Sequence, residues 1–303
     1  MNKLVFIGQE ETGLRCLEAL VRQGAPLVAI YVRAAGGVGI AAFEELAGSD
    51  LPVYAVEDIN AATHVESIGR LQPDMIYQIS WSQLLREELL AIPRHGVVGM
   101  HCSLLPRHRG RAPIPWSIIL GLRRSGMSMF YLDTRADRGD LIGQEEFAIG
   151  PHDYAAEVYD KACAAAVRLV DVYHPQLLAG TAPRISQCDL LSDYWPKRTP
   201  CDGLIDWNMA APRLYDWVRA LSHPFPGAFA AWRGERLLVW RASVTVAAVA
   251  AAGTVVGIDE AGIAVATGEG VLRLETVQGE GEEEEPATAY ADRRGLAVGD
   301  RIE

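Results

Sequence analysis

The sequence predicts an α/β protein, an open and mostly parallel sheet followed by a smaller β-rich domain. Three observations carry this expectation. Residues 4–8 (LVFIG) and 27–32 (LVAIYV) are short, continuous apolar runs, the pattern of strands buried on both faces. Between them Leu14, Leu17, Leu20 and Val21 recur at helical spacing and Gly24 closes the segment, completing a strand–helix–strand unit. Past residue 200, short β-rich runs at 228–232, 237–242, 253–258, 262–266 and 271–277 alternate with glycine turns, as in a small barrel or sheet.

The other elements follow in order. Residues 36–39 form a glycine-rich, flexible loop before a short helix at 41–46. Residues 74–80 (DMIYQIS) and 96–100 (GVVGM) are further buried strands, and 127–132 is a β-rich run. A long helix is expected over 154–178, with Gly180 as its stop. Pro183, Pro196 and Pro200 fall in a stretch without periodicity, the composition of a linker, and 209–221 is an amphipathic helix. The expected divisions are a catalytic domain at 1–183, a linker at 184–202 and a β-rich domain at 203–303. A length of 303 residues suits two domains.

With 50% hydrophobic and 22% charged residues, the composition is globular rather than disordered. The net charge of -11 opposes a phosphate backbone. From 201 to 303 there are nine Arg against sixteen Asp and Glu. The five cysteines are scattered without a CxxC, which argues for a reducing compartment and against a zinc knuckle, so no metal is expected. The chain starts directly in a strand with no leader pattern, and no apolar run approaches the length of a membrane span. Cytoplasm is the expected location.

The chemistry concentrates in residues 96–142. An apolar strand delivers His101 at its C-terminal end, where open α/β sheets bind ligands. A loop rich in Pro, Gly and Arg follows, and Asp137 stands in a second loop just before Gly139. A histidine and a carboxylate on neighbouring loops form a candidate acid–base pair, although a lone histidine after a strand is commonly structural and Asp-x-Gly is commonly a turn. Arg107, Arg109 and Arg111 offer contacts to phosphate or carboxylate, with loop bracing the equal alternative for Arg109. Residues 8–13 (GQEETG) lack Gly-x-Gly-x-x-Gly, so no nicotinamide is expected and Gln9 reads as lining a substrate cleft.

Taken whole, the segment resembles the signature of the folate-dependent formyltransferases, Asn-x-His-x-Ser-Leu-Leu-Pro, then Arg-Gly, Pro, Gly and Asp-x-Gly. His101, Ser103, Leu104, Leu105, Pro106, Arg109, Gly110, Pro113, Gly121, Gly126, Asp137 and Gly139 match it. The resemblance continues through Pro196–Pro200, Asp202-Gly203, Ile205-Asp206-Trp207, Val218-Arg219-Ala220 and Pro226-Gly227-Ala228-Phe229. These stretches are similar to sugar N-formyltransferases and to the formyltransferase domain of the bifunctional polymyxin-resistance protein, within a methionyl-tRNA formyltransferase-like family. Trp207, Trp217 and Phe225 read first as core.

The resemblance implies a Rossmann-like formyltransferase fold with an OB-like C-terminal domain, and transfer of formyl from 10-formyltetrahydrofolate to a primary amine. It implies catalytic roles for His101 and Asp137, with Ser103 beside them. It also implies a folate site at Ser80, Trp81, Leu84, Arg109, Gly110, Arg111, Ala112, Asp133, Gly139 and Asp140, with Trp81 equally a core residue. Gln9, Gln78, Arg107 and Arg111 would face the acceptor, and a homodimer is left open.

One position departs from the pattern. The family asparagine, an oxyanion donor two residues before the histidine, is here Gly99. Removing such a donor costs about 10² to 10³ in rate. Three readings follow: a donor from the preceding strand (Gln78 or Ser80) or an ordered water replaces it; the chemistry or acceptor differs; or only ligand binding survives. For the acceptor, residues 34–43 (AAGGVGIAAF) carry no Lys or Arg and residues 280–285 are acidic, which disfavours tRNA even though that acidic run reads first as a solvated loop. A nucleotide-linked amino sugar fits best. An amino acid or hydroxylamine of secondary metabolism is the alternative, and a non-catalytic folate- or nucleotide-binding protein is the alternative of another class.

Overall fold

The computed structural model describes residues 3–34, 38–245 and 250–303. The chain divides into two compact units. The first comprises residues 1–113, 124–148 and 160–195, the second residues 114–123, 149–159 and 196–303. The stretch 184–195, expected as linker, is thus part of the first unit. The loop expected at 36–39 lies partly outside the described residues.

In chain order, β1 (Leu4–Gly8), α1 (Glu10–Arg22), β2 (Leu27–Arg33), α2 (Ile40–Ala47), β3 (Val53–Val56), α3 (Ala62–Leu71), β4 (Met75–Ile79), α4 (Glu87–Leu90) and β5 (Val97–His101) lead to the short β6 (Arg109–Gly110). Then come α5 (Pro113–Ile119), β7 (Arg124–Tyr131), β8 (Leu141–Ala148), α6 (Ala155–Ala179) and β9 (Tyr194–Trp195). The main sheet has the order β3-β2-β1-β4-β5-β7-β8. Its first five strands pair in parallel, while β7 and β8 are antiparallel additions at one edge.

Every residue of β1 is buried, as a central strand covered on both faces requires. Val5, Ile7, Tyr31, Ile76, Leu89 and Val97 share one core. The chain reverses its progress across the sheet between β1 and β4, and ligands of open α/β sheets bind outside the carboxyl ends of the strands near such a switch. β3, α3 and β8 are elements without a counterpart in the sequence reading.

The second unit contains α7 (Ala211–Leu221), β10 (Ala228–Trp232), β11 (Glu235–Thr245), β12 (Val255–Asp259), β13 (Gly262–Ala266), β14 (Val271–Gly279), β15 (Glu284–Pro286) and α8 (Ala287–Arg294). Its sheet is antiparallel, ordered β10-β11-β14-β13-β12, with β15 paired to β14. The five strands expected from the sequence all occur, two of them with identical bounds.

Candidate active site

β5 ends at His101, a residue only 8% exposed. Its Nε2 lies 2.8 Å from the carbonyl oxygen of His108. A carbonyl only accepts, so Nε2 carries a proton, and a neutral ring therefore presents a bare Nδ1. That nitrogen faces Asp137, with Oδ2 3.8 Å away. The same Oδ2 accepts a 2.8 Å hydrogen bond from the Gly110 N–H. The expected pairing of imidazole and carboxylate from separate loops is therefore present.

Close backbone approaches fix these loops. Asp137 sits at φ 57°, a left-handed conformation that Asp tolerates better than most residues. At Gly139 a Cβ would lie 1.7 Å from the Tyr131 carbonyl oxygen, and at Gly110 one would lie 2.4 Å from that of Trp195. Only glycine fits either place.

The stretch 184–195 braces the site. Arg109 is fully buried, its guanidinium donating to Asp189 (2.9 Å) and to Gln187 Oε1 (2.8 Å). Gln187 in turn donates to the carbonyl oxygens of Asp137 (3.0 Å) and Gly139 (2.8 Å). Arg109 and Arg138 hold the Asp189 carboxyl below the usual carboxylate range. Asp193 accepts from the His108 backbone N–H (2.8 Å) and lies 3.1 Å from its Nδ1, while the His108 ring stacks on Trp195. Burial works against the charge of Asp193, but the His108 hydrogen bonds outweigh it and lower its pKa. These contacts position the carbonyl that sets the His101 tautomer.

A cavity of about 280 Å³ opens over the pair. Of the residues expected from sequence, Gln78, Ser80, Trp81, Leu84, His101, Gly110, Arg111, Ala112, Asp133 and Asp137 line it. Gln9, Gly99, Ser103, Arg107, Arg109, Gly139 and Asp140 are not among the lining residues described. Ser103 is fully buried and its hydroxyl donates to the Arg107 carbonyl, so it shapes the loop rather than facing a ligand. Arg109 takes the bracing role for the same reason. Asp140 accepts from the Ser186 hydroxyl. Gln9 keeps a buried side-chain oxygen without a partner among the described residues.

Sequence reasoning missed Leu132, Gln187, Asp193 and Arg33. Leu132 lines the cavity and fills the space beside Gly99: a Cβ there would meet its Cδ2 at 2.6 Å. At Ser82, which lines the cavity and is taken as its mouth, Arg111, also a lining residue, donates to the backbone carbonyl at 3.2 Å, and Arg33, which is not among the lining residues, donates to the hydroxyl. Among the described residues neither arginine is paired with a carboxylate, so both keep positive charge for a ligand.

The walls suit a flat heteroaromatic ring. Leu84, Leu85, Phe130 and Leu132 supply apolar surface, and Ser80, Asp133 and Asp137 supply polar edges. The Trp81 indole N–H is buried without a partner among the described residues. Among those residues no group of three or more His, Cys, Asp or Glu is placed to hold a metal ion. No described helix is long and apolar enough to cross a membrane.

Two family models match the chain: "Formyl transferase" over residues 40–170 and "Formyl transferase, C-terminal domain" over residues 197–295. Among solved structures, HypX from Aquifex aeolicus in complex with tetrahydrofolic acid is similar at 15% identity and a TM-score of 0.72, over 98% of this chain and 48% of that one. The chain thus spans about half the length of HypX. An N-formyltransferase from Helicobacter canadensis, in complex with folinic acid and dTDP-3-aminofucose, is similar at 14% identity and a TM-score of 0.67, over 94% of this chain and 100% of that one. Methionyl-tRNA formyltransferase from Clostridium thermocellum is similar at 18% identity and a TM-score of 0.59, over 81% and 94%.

Proposed function

The chain belongs to the formyl transferase family, and from that premise we propose that it is an N-formyltransferase. Its donor is 10-formyltetrahydrofolate and its acceptor a primary amine of a small molecule, in first place a nucleotide-linked amino sugar. The observation that carries the reading is the His101–Asp137 pair at the floor of a cavity with apolar walls and polar edges. When bound there, the folate supplies an activated formyl group. Trp81, Leu84 and Leu85 would hold the pterin, and Asp133 would meet its polar edge.

His101 does the proton work. Its bare Nδ1 accepts the proton that the amine sheds on attack, and Asp137 steadies the resulting imidazolium. His108 and Asp193 keep the ring from turning. Residues 110–113 and 133–137 bound the cavity, and a ligand seated against them would displace water that could otherwise compete with the amine.

The amino-sugar assignment rests on charge. Among the described residues Arg33 and Arg111 are two cations without a carboxylate partner beside Ser82, suited to a diphosphate. The acidic surface disfavours tRNA. The related Helicobacter canadensis enzyme was crystallised with dTDP-3-aminofucose, which supports the same acceptor class. Five free thiols suit a cytoplasmic location.

The test incubates the protein with 10-formyltetrahydrofolate and a panel of amines: nucleotide amino sugars, amino acids and hydroxylamines. Release of tetrahydrofolate with one formyl mass added to a nucleotide sugar is expected, and His101→Ala should lower kcat about 10² to 10⁴-fold. Turnover of another amine alone would remove the sugar assignment. Turnover unaffected by His101→Ala would remove the mechanism.

A further inference from the structure

Resting on the formyl-transfer reading above, we propose that Gln78 is a catalytic residue: its side-chain amide donates a hydrogen bond to the formyl oxygen as that oxygen gains negative charge. Acyl transfer calls for a fixed donor at the developing oxyanion. Gly99, on the same face of β5 as His101, has no side chain to give. Nor is the space beside it free. Leu132, whose N–H is tied to the Val97 carbonyl at 2.8 Å and whose side chain packs against the cluster of Leu105, Phe130 and Leu141, puts methyl groups where a side chain at 99 would go.

The next strand supplies an amide. β4 runs parallel to β5 with Gln78 directly opposite Gly99, and Gln78 and His101 line the same cavity. Side chains in register point to the same side of a sheet and lie about 4.8 Å apart. Glutamine is one methylene longer than asparagine, roughly 1.5 Å of extra reach, which recovers part of that offset.

Trp81, whose indole N–H is unpartnered among the described residues, is assigned to the pterin, and the other competing donors are less suited. The Gln83 amide is committed, donating to the Glu57 carbonyl at 2.8 Å and accepting from the Ile59 N–H at 3.2 Å. Ser80 stands beyond the end of β4 at φ 54°. Arg111 is exposed and anchored on the Ser82 carbonyl. Among the described residues Gln78 Nε2 has only a long 3.5 Å contact, to the Gln83 carbonyl, and so keeps donor capacity.

In the step itself the amine nitrogen bonds to the formyl carbon and the carbonyl π pair moves onto oxygen, where Gln78 Nε2–H donates. The amine proton passes to His101 Nδ1. The pair on oxygen then re-forms the carbonyl, the bond from formyl carbon to the folate nitrogen breaks, and His101 returns its proton to that nitrogen. The products are a formamide and tetrahydrofolate.

The experiment compares the full-length wild type with Gln78→Leu and the near-isosteric Gln78→Glu. For Gln78→Leu, kcat should fall about 100- to 1,000-fold with the folate KM nearly unchanged. Gln78→Glu should be at least as slow at neutral pH, because a carboxylate cannot donate. As a readout independent of turnover, the infrared carbonyl stretch of bound formyl-folate labelled with ¹³C in the formyl group should rise in Gln78→Leu as the hydrogen bond is lost. An unchanged kcat, or a loss confined to KM with an unmoved carbonyl stretch, would overturn the assignment. If the wild type formylates no amine, the proposed function fails, yet the carbonyl shift still decides whether Gln78 holds the formyl oxygen.

Discussion

The floor and the mouth of the cavity are built on different terms. At the floor both members of the His101–Asp137 pair are held by neighbours. His101 is fixed by the His108 carbonyl, Asp137 by the Gly110 N–H, and both loops by Gln187, Arg109 and Asp193. At the mouth, Arg33 and Arg111 rest only on Ser82 and keep their charge unpaired among the described residues. A rigid floor suits a fixed reaction, since preorganised groups need not move as charge develops. An adaptable, charged mouth suits recognition of the part of a ligand that does not react. Changes at the floor should therefore appear in kcat, and changes at the mouth in KM.

The largest expected effect lies at the floor. Asp137→Asn keeps an acceptor for the Gly110 N–H but removes the negative charge beside the imidazole, and kcat should fall at least about 100-fold. Steady-state kinetics on the folded variant read this directly. A variant as fast as the wild type would mean that the carboxylate only shapes the loop. At the mouth a smaller effect is expected. Arg33→Ala and Arg111→Ala should each raise the KM of an anionic substrate about tenfold with kcat nearly unchanged, and the rise should shrink at high salt. Measuring the two substrates separately assigns the arginines to the folate tail or to the acceptor. A fall in kcat alone would erase the distinction between floor and mouth.

The sequence disclosed the two regions unequally. The strand that delivers His101 could be read from its apolar run, which depends on local chain geometry, whereas Gly110, Gly139 and the pairing with Asp137 were legible only through the resemblance to the formyltransferase signature, because Gly110 is fixed by the distant Trp195 and Asp137 meets His101 from another loop. The bracing stretch 184–195 could not. Its proline-rich composition reads as linker, and its work is done by contacts such as Arg109–Asp189, eighty residues apart, which no periodicity reports. Burial likewise decides between the two readings of Arg109 in favour of bracing and turns Ser103 toward shaping its loop. Leu132 escaped notice because its role depends on how β7 is placed beside β5. Among the elements, β3 is an apolar run of only four residues, too short to stand out, and α3 buries only Ile68 and so carries no strong apolar face. β8 alternates buried and exposed positions with charges on its open face and reads as polar chain.

Everything at the floor depends on which nitrogen of His101 bears the proton. ¹⁵N NMR of the His101 imidazole, at a pH where the ring is neutral, reads this directly. Protonated Nε2 with a bare Nδ1 beside Asp137 is the expected result, unchanged on substitutions at the mouth. A proton on Nδ1 would contradict it, because the nitrogen facing the carboxylate could then accept nothing from an attacking amine.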